Sequence, residues 1–310
     1  MWLFTPGGAW FVFFTALVPY AIGGYLVAGV LALLLGLRAG PAERRWYAGA
    51  SLLALVGLVF HVVLLAPAYV GGHAHGRPNL VLMQLNVRKG HADAAAIVAI
   101  ARRYHVQVLV LEELTPAEHD RLEAAGIGSL FPHEAVAAAP DTAGIGAFAT
   151  VPLDRGRAIG VVNGGGVVRV EAARPFWLAV IHPSQPLGDN TNWVRDWQAV
   201  DRVVPALSGD VLLAGDFNAT LDHRPVRDLL GDGFTDAAQR ADSGWQPTYP
   251  DRPAGAGWLP WGLGRLVIDH VLFRGDFDAI ATHTVEVPGS DHRALIADLS
   301  RATGAAGTAK

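Results

Sequence analysis

Gly215-Asp216-Phe217-Asn218 follows the apolar, β-forming run Val211–Ala214, so a carboxylate and a carboxamide stand two positions apart where a strand runs out. Alternate side chains of a strand share a face, so Asp216 and Asn218 can enter one cleft together. The pattern recurs along the chain. Asn86 ends Leu80–Leu85, Glu112-Glu113 ends Val108–Leu111, and His182 ends Leu178–Ile181. Asp269-His270 ends Leu266–Ile268, and Asp291-His292 follows Gly289-Ser290. An Asx turn or a solvated strand end explains any one of these segments. Together they point to a single site, because ligands of open α/β sheets gather beyond strand ends. Carboxylates, carboxamides and imidazoles are also the groups that a hard divalent cation and a phosphate ester require.

Positioning them takes strands and outer helices. β-like runs cover 80–86, 106–111, 166–171, 176–181, 211–214, 266–273 and 294–299, and helical patterns cover 91–104, 116–125, 193–207 and 225–230. This is an α/β chain. No helix separates the runs between Val167 and Ile181, which argues against an all-parallel sheet and for mixed sheets with helices outside.

The front of the chain differs in composition. No charged residue occurs from Ala9 to Leu37 or from Tyr47 to Val70, and both runs exceed the roughly 18–20 residues that cross a hydrocarbon core. A cleaved signal peptide would need a basic start, and Arg38 is the first cation. Residues 1–70 therefore read as a membrane anchor of two transmembrane helices, or three if Pro19, Gly23 and Gly24 split the first run into a hairpin. Arg38, Arg44 and Arg45 lie between the runs and belong on the cytoplasmic side, which places everything after about Val70 outside the cytoplasm. The absence of Cys fits an exported domain without disulfides.

A Gly- and Pro-broken linker spans 71–78, where His73 and His75 read as solvated, and an Ala- and Gly-rich tail over 302–310 reads as disordered. Residues 1–77 hold four of the 24 Lys and Arg and one of the 28 Asp and Glu, so the remainder carries 20 against 27, a formal charge of −7. That balance lacks the broad basic footprint of a tight nucleic-acid binder.

The ordered segments Leu85-Asn86-Val87, Leu111-Glu112-Glu113, Ile181-His182-Pro183, Gly215–Asn218, Ile268-Asp269-His270 and Ser290-Asp291-His292 resemble the motifs of the endonuclease/exonuclease/phosphatase superfamily over residues 79–301. The resemblance implies a four-layer α/β sandwich, two packed mixed sheets flanked by helices, here preceded by the N-terminal transmembrane helices. It implies Glu113 as the principal metal carboxylate, with Asn86 and Asp291 lining the same metal and phosphate site, and Mg²⁺ as the ion with Mn²⁺ as a substitute. His292 is implied as the catalytic imidazole, oriented by Asp269. Asp216 and Asn218 would position water and phosphate, and His182 would bind a phosphate oxygen or assist the leaving group. The general base is open between Asp216 and the Asp269–His292 pair. Two positions depart from the family pattern. Arg88 stands where many family nucleases have Asp, weakening a nuclease assignment and offering a cation for phosphate. Glu112 replaces the more usual Gln, as an additional ligand or, by strand alternation, as an outward-facing residue.

The implied activity is phosphohydrolysis, and the fold does not select the substrate. An anchored, extracytoplasmic, acidic domain is similar to membrane-bound bacterial members associated with glycopeptide resistance, which implies removal of phosphate from a lipid-linked prenyl pyrophosphate. Trp258 to Gly264 would dip into the bilayer interface or pack inside the domain. The alternatives are an anchored extracytoplasmic nuclease or phosphodiesterase and a membrane-tethered binding domain without catalysis.

Overall fold

A computed structural model describes residues 9–72, 76–154, 156–187, 190–251 and 264–301. The expectations for His73 and His75, for the Trp-rich stretch before Gly264 and for the tail 302–310 lie outside these residues.

The chain starts with α1 (Ala9–Ala16), α2 (Ala21–Arg38) and α3 (Pro41–Leu65). The first sheet is built from β1 (Leu80–Asn86), β2 (Val108–Glu112), β3 (His133–Ala137), β4 (Ile145–Ala149), β11 (Asp278–Glu286) and β12 (Arg293–Ser300). The second comprises β5 (Arg157–Ala158), β6 (Gly165–Val170), β7 (Phe176–Ile181), β8 (Val211–Asp216), β9 (Thr235–Asp236) and β10 (Asp269–Arg274). The helices α4 (Ala94–Arg103), α5 (Pro116–Ala124) and α6 (Ile127–Leu130) belong to the first half, and α7 (Thr191–Val203), α8 (Arg224–Gly231) and α9 (Ala237–Arg240) to the second.

Strand order is β11-β12-β1-β2-β4-β3 in one sheet and β5-β6-β7-β8-β10-β9 in the other. Each sheet has one parallel pair at its centre, β1 with β2 and β7 with β8, and antiparallel pairs elsewhere. Both sheets are mixed, as the sequence pattern predicts. Alternation divides the apolar residues into three layers. Leu82, Val110, Leu178, Leu212 and Val271 fill the space between the sheets. Met83, Leu85, Leu109 and Leu111 face α4 and α5, while Leu213, Ala179 and Ile181 face α7 and α8. Two sheets with helices outside each make four layers.

Several elements escape the sequence pattern. The hairpin β3–β4 reads His-Glu-Ala-Val-Ala and Ile-Gly-Ala-Phe-Ala, poor in β-branched residues, and is held by pairing to β2. The run expected from Leu266 begins as β10 only at Asp269, because Leu266 bridges Tyr249 instead of β8. Helix α4 starts at Ala94 and not at His91, since the Asp93 carboxylate accepts the Ala96 N–H at 3.0 Å as its N-cap.

Val18–Arg38 (21 residues, mean hydropathy 2.0) and Pro41–Ala68 (28 residues, mean hydropathy 2.4) are long and apolar enough to cross a membrane. They pack as an antiparallel hairpin through small residues. Gly29 lies against Ala54, and a Cβ on Gly57 would come within 2.3 Å of the Tyr25 ring. Helix α1 has eight residues, a rise of about 12 Å, and stops before Pro19. It rests on the catalytic domain, where the Val12 carbonyl lies 2.9 Å from His223 Nε2.

At Gly215 (φ 149°) β8 comes so close to β7 that a Cβ would stand 2.0 Å from the Ile181 carbonyl oxygen. The Ile181 backbone leaves no room to yield, so Gly215→Ala is expected to cost roughly 2–3 kcal/mol. Thermal unfolding followed by circular dichroism checks this; an unchanged midpoint would show that the strands can separate freely.

Candidate active site

The polar residues come from the same strand faces that build the inter-sheet core. Continuing two residues beyond Leu82 gives Gln84 and then Asn86, beyond Val110 gives Glu112, beyond Val180 gives His182 and beyond Ala214 gives Asp216. In antiparallel β10, two residues before Val271 stands Asp269. At one end of the sandwich the inter-sheet apolar layer therefore becomes a buried polar cap.

The expectation that Glu112 faces outward is corrected. Glu112 has no exposed surface and accepts from Gln84 Nε2 at 2.8 Å. Its neighbour breaks the alternation: Glu113 adopts φ 57°, left-handed for a non-glycine residue, and so turns into the same end of the sandwich.

Asn86 Nδ2 donates to Asp216 Oδ2 at 3.0 Å and to Glu113 Oε1 at 3.2 Å, joining carboxylates that come from different sheets. The Arg88 N–H donates to Asn86 Oδ1 at 2.9 Å, which fixes the amide orientation. Glu113 Oε2 accepts the Lys89 N–H at 2.7 Å. His182 Nε2 lies 3.6 Å from Asp216 Oδ2 and 3.9 Å from Glu113 Oε1. Asn218 (φ 46°) donates its backbone N–H to Asp216 Oδ1 at 2.9 Å and its Nδ2 to the Pro183 carbonyl at 2.9 Å.

His292 is the other pole. Its Nδ1 is 2.9 Å from Asp269 Oδ2 and its Nε2 is 3.6 Å from Asp216 Oδ2. Asp269 Oδ1 accepts from Gln84 Nε2 at 2.8 Å, so one amide holds both Glu112 and Asp269. Arg88 and Asp291, 3.7 Å apart and partly exposed, form the rim. Asn86, Glu113, His182, Asp216, Asn218, Asp269 and His292 thus converge, with Arg88 and Asp291 beside them.

Gln84, Thr248 and Ser290 belong to the site without having been singled out as site residues. Gln84 is a lone amide in an apolar strand, on the face of Asn86, and that was its signal. Ser290 Oγ ties the Asn86 carbonyl at 2.7 Å to the His292 N–H at 2.9 Å. Thr248 Oγ1 lies 3.3 Å from the Asp269 N–H and approaches across the sheet from a segment with no sequence signal.

Burial opposes charge on every group here, and the partners decide the outcome. Burial alone would lower His292, but Asp269 and Asp216 outweigh it and push the imidazole up to about 10. Burial would raise Asp269, yet His292 and hydrogen bonds from His292, Thr248 and Gln84 hold it below the usual range. Burial raises Asp216, only partly offset by His292 and His182. Glu112 stands well above the ordinary carboxyl range through burial and then the charge of Asp269. At neutral pH these directions describe an Asp269⁻–His292⁺ pair facing Asp216.

The ligand atoms of Asp216, Asp269 and His292 lie within 4.8 Å of one another. Asp269 and His292 already satisfy each other and both Asp216 oxygens accept hydrogen bonds, which leaves the partly exposed Glu113 and Asp291 as the carboxylates open to a cation. Glu113, Asp216, Asp269 and Asp291 outnumber the cations His292 and Arg88, and the donors are hard oxygens, so a hard divalent cation fits.

The family model described as "Endonuclease/Exonuclease/phosphatase family" matches residues 83–292, and the chain belongs to that family. Membership makes it a hydrolase of phosphoester bonds in a divalent-metal-dependent family. No curated protein matches the sequence. Its fold is similar to an endonuclease/exonuclease/phosphatase from Beutenbergia cavernae, with 20% identity, TM-score 0.56, and coverage of 73% of this chain and 72% of that one. It is also similar to D. rerio TDP2 complexed with a single-strand DNA product, with 15% identity, TM-score 0.59 and coverage of 71% and 98%. A mannosyl-6-phosphatase from Bacteroides thetaiotaomicron aligns with 13% identity, TM-score 0.51 and coverage of 72% and 100%.

Two outcomes follow from the charge arrangement. The folded Glu112 carboxyl binds its proton more tightly than the 4.5 of an ordinary Glu, so the stability it contributes is full below that value and falls as pH rises above it. Glu112→Gln removes this dependence, and its melting temperature is expected to exceed the wild type by a few degrees near pH 8 and to converge with it near pH 4.5. Parallel pH dependences would contradict the assignment. In the metal-free protein the His292 ring is expected to stay doubly protonated from about pH 6 to 8 by ¹⁵N NMR, and a titration midpoint near 6.5 would refute the ion pair.

Proposed function

We propose that the protein is a membrane-anchored, Mg²⁺-dependent phosphohydrolase that removes phosphate from a lipid-linked substrate, a prenyl pyrophosphate or related phosphoester, outside the cytoplasm. The Asp269–His292 pair facing Asp216 beside Glu113 carries the hydrolase part of this reading.

Glu113 would hold the metal, Mg²⁺ or Mn²⁺, with Asn86 and Asp291 lining its site. The bound cation would neutralise nonbridging phosphate oxygens. The chain's own groups do the rest. His292, kept as imidazolium by Asp269, has no lone pair to offer at neutral pH and donates a hydrogen bond to phosphate or to the leaving oxygen. That leaves Asp216 as the base. Its raised proton affinity suits it to take the proton of an attacking water, whose oxygen bonds to phosphorus as the phosphorus–oxygen bond to the leaving group breaks. Asn218 and His182 fix the phosphate, and Arg88 at the rim adds a cation for it.

The anchor part rests on the hairpin of α2 and α3, whose outer surface exposes Leu33, Leu52, Leu53 and Val63. The basic connection with Arg38, Arg44 and Arg45 lies at one end of the hairpin and the catalytic domain at the other, which favours an extracytoplasmic site.

The full chain is to be presented with a prenyl pyrophosphate, a phospholipid and single- and double-stranded DNA, with Mg²⁺ or with chelator. Metal-dependent phosphate release from the first is expected, reduced roughly 10²–10⁴-fold in Asp216→Ala and His292→Ala. Cleavage of DNA with no action on the lipid would overturn the substrate. For topology, the chain's lack of Cys makes a single label clean. A cysteine in Asp232→Cys is expected to react with a membrane-impermeant maleimide in intact cells, and one in Arg44→Cys is not; the reverse pattern inverts the topology.

A further inference from the structure

Where the anchor meets the catalytic domain lies a cavity of about 280 Å³. The last turn of α3 contributes Val63, Leu64 and Leu65, and the catalytic domain contributes Leu221, Leu230 and Trp245. From the alkyl and aromatic character of this wall, and from its position, we propose that the cavity receives the hydrocarbon tail of the substrate, an isoprenoid or alkyl chain whose phosphate occupies the catalytic cleft. This rests on the phosphohydrolase reading above and adds a tail site to it.

The cavity is built into a fixed junction. The Tyr20 hydroxyl donates to the Arg265 carbonyl at 2.7 Å, and the Tyr20 ring packs edge-on against Trp245 with centroids 5.6 Å apart. The Gly244 N–H donates to the Ala68 carbonyl at 2.7 Å, and the Gly72 N–H to Asp242 Oδ1 at 2.8 Å. His223 Nδ1 accepts the Thr220 N–H, so its Nε2–H donates to Val12 on α1.

Its lining points to one occupant. Val63 lines the cavity and is also 63% exposed on the outer face of the hairpin, so the cavity is continuous with the apolar belt of α3. It is also walled by Thr220, Leu221 and Asp222, two to four residues beyond Asn218, and by the buried Asp269, the partner of His292. A ligand that is apolar at the bilayer end and anionic at the catalytic end fits this order. The charged groups of the wall have their own partners: Arg265 Nη2 donates to the Asp251 carbonyl at 2.6 Å, and Asp236 caps α9 through the Gln239 N–H at 2.9 Å and faces His270 Nδ1 at 3.4 Å. Most of the surface left for a ligand is apolar, which favours the burial of methylenes.

The test uses the full chain in phosphatidylcholine nanodiscs, as wild type, Ala68→Trp and Ala238→Phe; the two substitutions fill the cavity from opposite walls, and a melt confirms that at least one folds. Dodecyl diphosphate, the same compound brominated on its tail, methyl diphosphate and brominated phosphatidylcholine are the probes. The brominated diphosphate is expected to quench the part of the fluorescence that is absent in Trp245→Phe, and a filled cavity is expected to abolish that quenching. The ratio of kcat/KM for dodecyl over methyl diphosphate is expected to fall at least about tenfold in the filled variants. Quenching with no hydrolysis of either diphosphate removes the phosphohydrolase reading and leaves the tail site standing. Hydrolysis of both with the same ratio in every variant, or quenching by brominated phosphatidylcholine alone, overturns the tail site and leaves the hydrolase.

Discussion

The structure turns on how the layer between its two sheets ends. Along five strands the residues facing the inter-sheet space are apolar except for the one or two at the site end, which are Gln84 and Asn86, Glu112, His182, Asp216 and Asp269. A sheet interior that turns polar while still buried costs free energy unless each group finds a partner or loses its charge. Both solutions are present. Asp269 and His292 form an ion pair, burial pushes the proton affinity of Glu112 well above the ordinary carboxyl range, and the Gln84 amide spans the two carboxyls. The catalytic geometry is therefore a consequence of core packing: the strands that set the apolar layer also set the distances among Asp216, His292 and Glu113.

That dependence explains what could be read from the sequence. A polar residue at the end of an apolar strand is visible as a string, so Asn86, Glu113, His182, Asp216 and Asp269 were legible, together with the mixed sheets that bring them together. Glu112 was not, because the alternation rule assumes a regular strand and the left-handed Glu113 breaks it. Thr248 was hidden for another reason, since it reaches Asp269 from a segment without secondary structure. The edge strand β3 and its neighbour β4 carry weak intrinsic preference and owe their form to pairing, which composition does not reveal.

The same reasoning links the N-terminal helical hairpin to the site. Small residues let α2 and α3 approach closely, Pro19 ends α1 before it can extend into the hairpin, and α1 rests instead on the domain through Val12 and His223. The catalytic domain is thereby fixed against one end of the hairpin, with an apolar cavity on the hairpin side and the acidic cluster beyond it. The proposed amphiphilic phosphate makes no demand for the basic track that a nucleic-acid backbone asks for.

The division of labour between Asp216 and His292 is the central claim, and the pH dependence of kcat/KM on a diphosphate ester tests it most directly. With Asp216 as base and His292 as the protonated donor, activity is expected to rise on ionisation of Asp216 and to persist until the imidazolium is lost towards about pH 10. An ascending limb with a midpoint near 6.5 that disappears in His292→Gln would show that the imidazole is the base, and would contradict the account.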